Sequence, residues 1–198
     1  MMSQRPQSLE VFLDRFCAFL EARPLEGAAR ELVSAARDLL ESRIGECGRT
    51  PPHRLPLCDR WLEPALELAT ERSTARARLI EAFREVEPRL AWHQRAGSRS
   101  DPAFHRGHAN AMIVGPGGLE ERKDVWLGLT LMAPETSYIR HQHPPEELYL
   151  LLTPGEWQQG DGPWFSPGPD GLVYNRPMLF HAMRSGKAPL VTFWLLRT

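Results

Sequence analysis

The chain is poor in cysteine. Cys17, Cys47 and Cys58 are the only three among 198 residues, and no two stand in CxxC spacing. An odd, scattered set indicates neither a disulfide framework nor a zinc knuckle, so a reducing cytoplasm is the expected setting. There is no excess charge of either sign: 24 Lys and Arg stand against 25 Asp and Glu, a net charge of -1. That balance removes the electrostatic pull toward nucleic acid or an anionic membrane. No apolar run approaches the roughly 18 residues needed to span a bilayer. Residues 1–13 lack the long apolar stretch and small-residue cleavage site of a signal peptide. What remains is ordinary for a soluble globular protein: 42% hydrophobic and 25% charged residues. The length suits one large domain, or one domain with a helical appendage. A chain of this size buries about 70% of its unfolded surface and needs no metal merely to fold.

The two halves differ in composition. Residues 1–100 hold 4 Gly and 7 Pro, and residues 101–198 hold 11 of each. The first half reads as helices. Leu9, Phe12, Leu13, Phe16, Phe19 and Leu20 recur at helical spacing ahead of Pro24. Leu32, Ala35, Ala36, Leu39 and Leu40 form a second stripe. Pro51 and Pro52 break the pattern, since neither can donate a helical hydrogen bond. Leu62, Ala65, Leu66 and Ala69 predict a third helix with Pro64 in its first turns. Leu79, Ile80, Phe83, Val86 and Leu90 predict a fourth. The polar stretch 94–102 reads as a linker. Short apolar or alternating runs at 125–132, 139–143, 148–153, 172–174, 179–183 and 190–196 read as strands. Gly/Pro clusters at 115–118, 153–163 and 166–171 separate them, which favours a sandwich or barrel over a doubly wound sheet. The expected organisation is a helical region over 1–100 and a barrel over 101–198. The helices carry no concentrated basic face, so they are expected to pack on the barrel or to form a homodimer contact.

Five of the seven histidines follow residue 104. Within 138–149, His141 and His143 are two apart, so on a strand they share a face and can grip one ion. Glu147 can add a carboxylate oxygen after the Pro144-Pro145 turn, and Tyr149 shares its face. His181 follows in a later strand preceded by Pro177. Two or three histidines with one carboxylate suit one divalent transition metal: Fe, Zn, Mn, Co or Ni. His105 and His108 form a further spaced pair without a carboxylate partner and are expected to be surface or packing residues. Glu146 alternates to the face opposite Glu147.

The HxHx3E spacing, the hairpin glycine Gly155 and a distant histidine resemble the two motifs of the cupin superfamily. The resemblance implies a mainly β fold, a double-stranded β-helix (jelly-roll) barrel preceded by an α-helical region, with the metal inside. More narrowly, Tyr138, His141, His143, Glu147 and Tyr149, with a Trp after the turn, look like the dimethylsulfoniopropionate (DMSP) lyase cupins. These are small bacterial proteins with helices ahead of one barrel. The resemblance implies that His143, Glu147 and His181 ligate the metal, and that His141 ligates it or stands beside it. It further picks out Tyr149 and Tyr138 as the two site tyrosines. Two details depart from the general motifs: no glycine lies between Pro177 and His181, and Gly155 is displaced by one residue.

The implied reaction is β-elimination to dimethyl sulfide and acrylate. It needs a base for the proton alpha to the carboxylate, and Tyr149 is the candidate, since a nearby cation favours phenolate. Tyr138 would position the carboxylate or share the proton. A sulfonium prefers an aromatic wall. Trp126, Trp164 and Trp194 are the substrate-binding candidates, with Phe180 and Phe193 also available. The alternatives are another metal-dependent cupin enzyme, a non-haem iron dioxygenase or isomerase, and a small-ligand-binding cupin without catalysis. The expected partner is a small-molecule substrate, with no nucleic acid and no membrane.

Overall fold

The computed structural model describes residues 5–71, 73–168 and 171–198. Residues 1–4 of the N-terminal stretch, and 169 and 170 of the glycine- and proline-rich turn expected at 166–171, lie outside the described residues.

Four helices precede the sheet region. Helix α1 (Gln7–Glu21) buries the full expected stripe, and α2 (Gly27–Ser42) buries Leu32, Val33, Ala36 and Leu40. A two-residue strand, β1 (Glu46–Cys47), follows. Helix α3 spans Pro56–Thr70. It starts earlier than the apolar stripe predicts, because Pro56 sits at the first helical turn, where its missing N–H costs nothing. Pro64 is therefore inside the helix rather than in its first turns. It lies on the solvent face, so the carbonyl it leaves unpaired faces water. Helix α4 (Thr74–Val86) is capped by Ser73, whose hydroxyl accepts from the Arg76 N–H at 3.2 Å. It ends before Leu90, and Glu87–Arg89 continues as a 3-10 turn that carries Pro88. No helix of the described residues is long and apolar enough to cross a membrane.

The stretch 94–102 is a packed connector, not an open linker. It holds a 3-10 turn at Ser98–Ser100. Ser98 is buried and its hydroxyl bonds His105 Nδ1 at 2.7 Å. Asp101 caps α5 (Pro102–Gly107), accepting from the N–H groups of Ala103 and Phe104. Most of the segment is exposed, and Ser98 and Asp101 tie it down through polar partners.

The strands are β2 (His108–Val114), β3 (Glu120–Glu121), β4 (Val125–Met132), β5 (Ser137–His141), β6 (Glu146–Leu151), β7 (Glu156–Gln159), β8 (Leu172–Asn175), β9 (His181–Arg184) and β10 (Leu190–Arg197). They form a seven-stranded sheet, β1-β3-β2-β4-β10-β6-β8, and a three-stranded sheet, β5-β9-β7. Pairing is antiparallel except at the short β2–β3 contact. Two antiparallel sheets built from alternating parts of the chain make the jelly-roll barrel, with helices ahead of it.

Strand alternation divides the large sheet into two faces. Ala109, Ala111, Ile113, Leu127, Leu129, Leu131, Leu148, Leu150, Val191, Phe193 and Leu195 pack on the helices in one core that runs across residue 100. Phe193 meets Phe12, Phe16 and Phe83 with ring centroids 5.3–5.6 Å apart. It is thus a core residue and not part of an aromatic wall inside the barrel. The opposite face closes over the small sheet, with Met132, Tyr138, Tyr149, Leu151, Trp157, Val173, Met183 and Leu190 between them. Gly128 is required on that inner face: a Cβ there would stand 2.3 Å from the Trp194 ring and 2.5 Å from the Ala111 carbonyl oxygen.

Candidate metal centre

The histidines and Glu147 come from three places in the barrel. His141 and His181 sit opposite each other where β5 pairs with β9, which brings their ring centroids to 4.1 Å. Glu147 projects from β6 on the facing sheet. His143 lies two residues beyond the end of β5, in the turn that leads to β6. It shares the site although it is not on the strand. One ligand atom from each of His141, His143 and His181 lies within 4.8 Å of the others. Glu147 Oε2 is 3.1 Å from His143 Nε2 and 3.3 Å from His181 Nε2. Ligands held about 2.0–2.2 Å from a common ion stand roughly 3.0–3.5 Å apart, so these separations suit one.

Backbone carbonyls fix all three rings. His141 Nδ1 donates to Ile139 O, His143 Nδ1 to Pro145 O and His181 Nδ1 to Leu179 O, each at 2.9 Å. A carbonyl only accepts, so the proton is on Nδ1, and each neutral ring turns an Nε2 lone pair inward. His181 Nε2 is buried and has no hydrogen-bond partner among the described residues. Lone pairs and a buried carboxylate converging on one point call for a cation there. The three histidines are compatible with a metal ion. In the chain alone a proton takes part of that role. Burial pulls His143 down, but the hydrogen bond and charge of Glu147 outweigh it and the pKa is raised. Burial and neighbouring His181 lower His141 to about 3. Burial pushes Glu147 up, while His143 and His181 pull it down further, to about 2. Asn175, opposite Glu147 on β8, donates to its Oε2 at 3.3 Å.

Both candidate tyrosines flank this cluster inside the barrel. Tyr149 is two residues after Glu147, 6.0 Å from the His181 ring and edge-on to Trp157 at 5.7 Å. Tyr138 is 5.2 Å from the His141 ring. Its hydroxyl accepts from Asn110 Nδ2 at 3.0 Å, and Asn110 Oδ1 accepts from the Thr130 hydroxyl at 2.7 Å. The chain's own groups push Tyr149 well above 10, first by burial and then by the charge of Glu147. The lowered value expected for a base therefore requires a cation in the cluster. The same two causes work against ionisation at Tyr138, whose pKa is raised chiefly by burial.

The tryptophan candidates divide. Trp194 pairs with Tyr149 in register and faces the interior, and Trp126 lies on the next row of the same face, in line with Leu196 and Glu147. Trp164 is elsewhere: its ring stacks with the Arg184 guanidinium at 4.4 Å, on the side of β9 opposite His181 and Met183. Phe180 is exposed, beneath Arg140. Two interior residues escaped the sequence reading. Trp157 is fully buried against Tyr149 but sits in the short polar strand EWQQ. Arg95, in the supposed linker, stands over the Tyr138 ring at 5.8 Å. Glu146 alternates outward as expected, accepting from the Tyr174 hydroxyl and pairing with Arg197. His108 is fully buried, stacked on Phe104 at 3.7 Å, and burial lowers it to about 4.

Comparison with known proteins bears on this site. The chain is 34% identical over 106 residues to a protein named as the dimethylsulfoniopropionate lyase DddL of Cereibacter sphaeroides. That match spans 53% of the chain and 44% of the relative, less than half its length. Two solved structures share the fold over 96% of the chain with a TM-score of 0.72. One is the DMSP lyase DddQ from Ruegeria pomeroyi DSS-3, 23% identical with 91% of its chain covered. The other, described under the DMSP lyases RdDddP and RnDddQII, is 20% identical with 92% covered. The dimethylsulfoniopropionate lyase family model matches residues 30–192, and the chain belongs to that family.

Proposed function

We propose that the chain is a metal-dependent carbon–sulfur lyase that cleaves dimethylsulfoniopropionate by β-elimination. The observation that carries this reading is the pair of buried phenols beside a His/Glu cluster, in a chain of this family. His143, Glu147 and His181, with His141 as a fourth ligand or close neighbour, would hold one Fe, Zn, Mn, Co or Ni ion. Such an ion supplies a Lewis acid for the substrate carboxylate and the positive charge that brings a buried phenol within reach of ionisation.

The chain's own groups account for the rest. Tyr149 takes the proton alpha to the carboxylate. The C–H electron pair becomes the new C=C bond of acrylate, the carbon–sulfur bond breaks, and dimethyl sulfide leaves with the electron pair of the carbon–sulfur bond. The proton then passes from the phenol to solvent. The Tyr138 hydroxyl already accepts from Asn110, so its own proton is left to donate, which suits it to hold a carboxylate oxygen. Trp157, Trp194 and Trp126 offer π-faces for the dimethylsulfonium cation. Tyr149 and Trp157, both buried, also keep water from the developing carbanion.

The decisive measurement is headspace dimethyl sulfide and stoichiometric acrylate from purified, metal-loaded protein given the sulfonium substrate. Neither product at any of the five metals would overturn the lyase reading. Oxygen consumption in place of elimination would favour a dioxygenase.

A further inference from the structure

We propose that Arg95 is the residue that binds the substrate's carboxylate end, beside Tyr138, and so restricts the site to carboxylic acids. The proposal rests on the elimination reading only for the identity of the substrate.

The backbone fixes where Arg95 stands. His93 and Asn110 exchange both backbone hydrogen bonds, at 2.8 and 2.9 Å, so the chain before residue 95 lies antiparallel along β2. Arg95 is two residues further, past the isolated bridge; His93 itself is exposed, and Arg95 is brought to the barrel by its approach to Tyr138, whose ring is in the barrel core. Its N–H donates to His108 Nε2 at 2.9 Å, and the same ring donates Nδ1–H to the Phe104 carbonyl. A fully buried, neutral imidazole therefore anchors this backbone.

The guanidinium carbon is 5.8 Å from the centroid of the Tyr138 ring and the group hydrogen-bonds that phenol, while no ion pair joins it to a carboxylate among the described residues. Two other arginines that reach into this protein do find carboxylates: Arg5 bonds Glu120 at 2.7 Å and Arg122 bonds Asp124 at 2.7 Å. Burial is the larger influence on Tyr138, His141, His143 and Tyr149, but the Arg95 charge also reaches all four. A half-buried guanidinium that bonds the Tyr138 phenol but no carboxylate, at the end of the site away from Glu147, is a seat for an anion. A planar fork of donors matches a carboxylate. The substrate's two ends are then sorted by charge: the carboxylate toward Arg95 and Tyr138, the sulfonium away from the guanidinium toward the indoles.

The test is propionate, the substrate without its sulfonium, titrated calorimetrically into metal-loaded wild type, Arg95→Gln and Arg95→Lys. Propionamide is the uncharged control. A charge-assisted hydrogen bond is expected to account for roughly 10- to 100-fold in affinity. Propionate binding should weaken by that factor in Arg95→Gln and recover partly in Arg95→Lys. Propionamide should bind all three alike, and metal content should not change. With the sulfonium substrate, KM should rise by a similar factor in Arg95→Gln while kcat falls less. Equal propionate affinity in wild type and Arg95→Gln, or no propionate binding by wild type, would overturn the assignment. Arg95-dependent propionate binding without dimethyl sulfide release would sink the lyase reading and leave Arg95 as a carboxylate-binding residue.

Discussion

The two faces of the seven-stranded sheet are made by the same strands and do opposite things. On β6, Leu148 and Leu150 point to the helices, and Glu147 and Tyr149 point into the barrel. On β10, Val191, Phe193 and Leu195 meet the helical layer, and Thr192 and Trp194 face inward. On β2, Ala109, Ala111 and Ile113 are core, and His108 and Asn110 are interior polar groups. The outer face is apolar and interlocked, so it stabilises the fold. The inner face keeps polar groups that need partners: the three histidines are tied by Nδ1 to backbone carbonyls and Glu147 to Asn175, and their remaining ligand atoms face one another. If the two faces act independently, damage to one should leave the other nearly intact.

The largest effect is expected from removing a ligand. His181→Ala should lose its bound metal and all measurable turnover, while helical circular dichroism stays that of wild type. Elemental analysis checks it, and full metal occupancy in the variant would show the ligand set to be wrong. Next is Tyr149→Phe, which keeps the ring against Trp157 and removes only the hydroxyl. Loss of a general base typically costs about 10²–10⁴-fold in rate. Turnover should fall by that factor with metal content and melting temperature nearly unchanged, and near-full turnover would refute the base assignment.

Phe193→Ala tests the other face. The ring is fully buried among Phe12, Phe16 and Phe83, and truncating such a residue costs about 3–5 kcal/mol. The denaturant midpoint should drop accordingly, and KM and metal content at low temperature should hold. A change in metal affinity larger than the change in stability would mean that the two faces are coupled through β10.

The same division explains what the sequence made legible. The outer face announces itself: the α1 stripe is read in full, and the strand expected at 125–132 is β4 itself. The metal cluster is legible because HxHx3E is rare, although His143 reaches it from beyond the strand end through its bond to Pro145 and not by strand alternation. Interior-facing segments are the ones missed. In β2, alanines supply the outward positions and His108 and Asn110 the inward ones, so no apolar alternation shows. In β7, the sequence EWQQ hides Trp157. Arg95 lies in a polar run, and the Tyr138 ring it stands over is distant in sequence. The α3 start was missed for a different reason: a proline in the middle of an apolar stripe marks a helix start far more often than an interior position.

The smallest expected effect lies at the rim, where the helical layer meets the sheet edge through ion pairs. Arg122 donates to the Leu39 and Arg43 carbonyls at the end of α2 and to Asp124, and Arg5 joins the Leu40 carbonyl to Glu120. The hydrogen bond from Arg122 is the main cause that lowers Asp124 to about 2. Burial pushes Glu120 up, but the bonds from Arg5 and the Gly45 N–H bring it below its ordinary value. Both carboxyls have folded pKa values below their unfolded ones, so the unfolded chain binds the extra protons. Their contribution is complete above about pH 4.5 and is lost as pH falls through the folded values, toward about 2 for Asp124. Asp124 is partly exposed, so its share is modest and weakens with salt. Unfolding midpoints measured from pH 5 to pH 2 should decline less steeply in Asp124→Asn than in wild type, with the curves closest at the acid end. Metal binding above pH 6 should be the same in both, since neither carboxyl faces the barrel. Parallel curves across the whole range would show that Arg122 holds the end of α2 without help from Asp124.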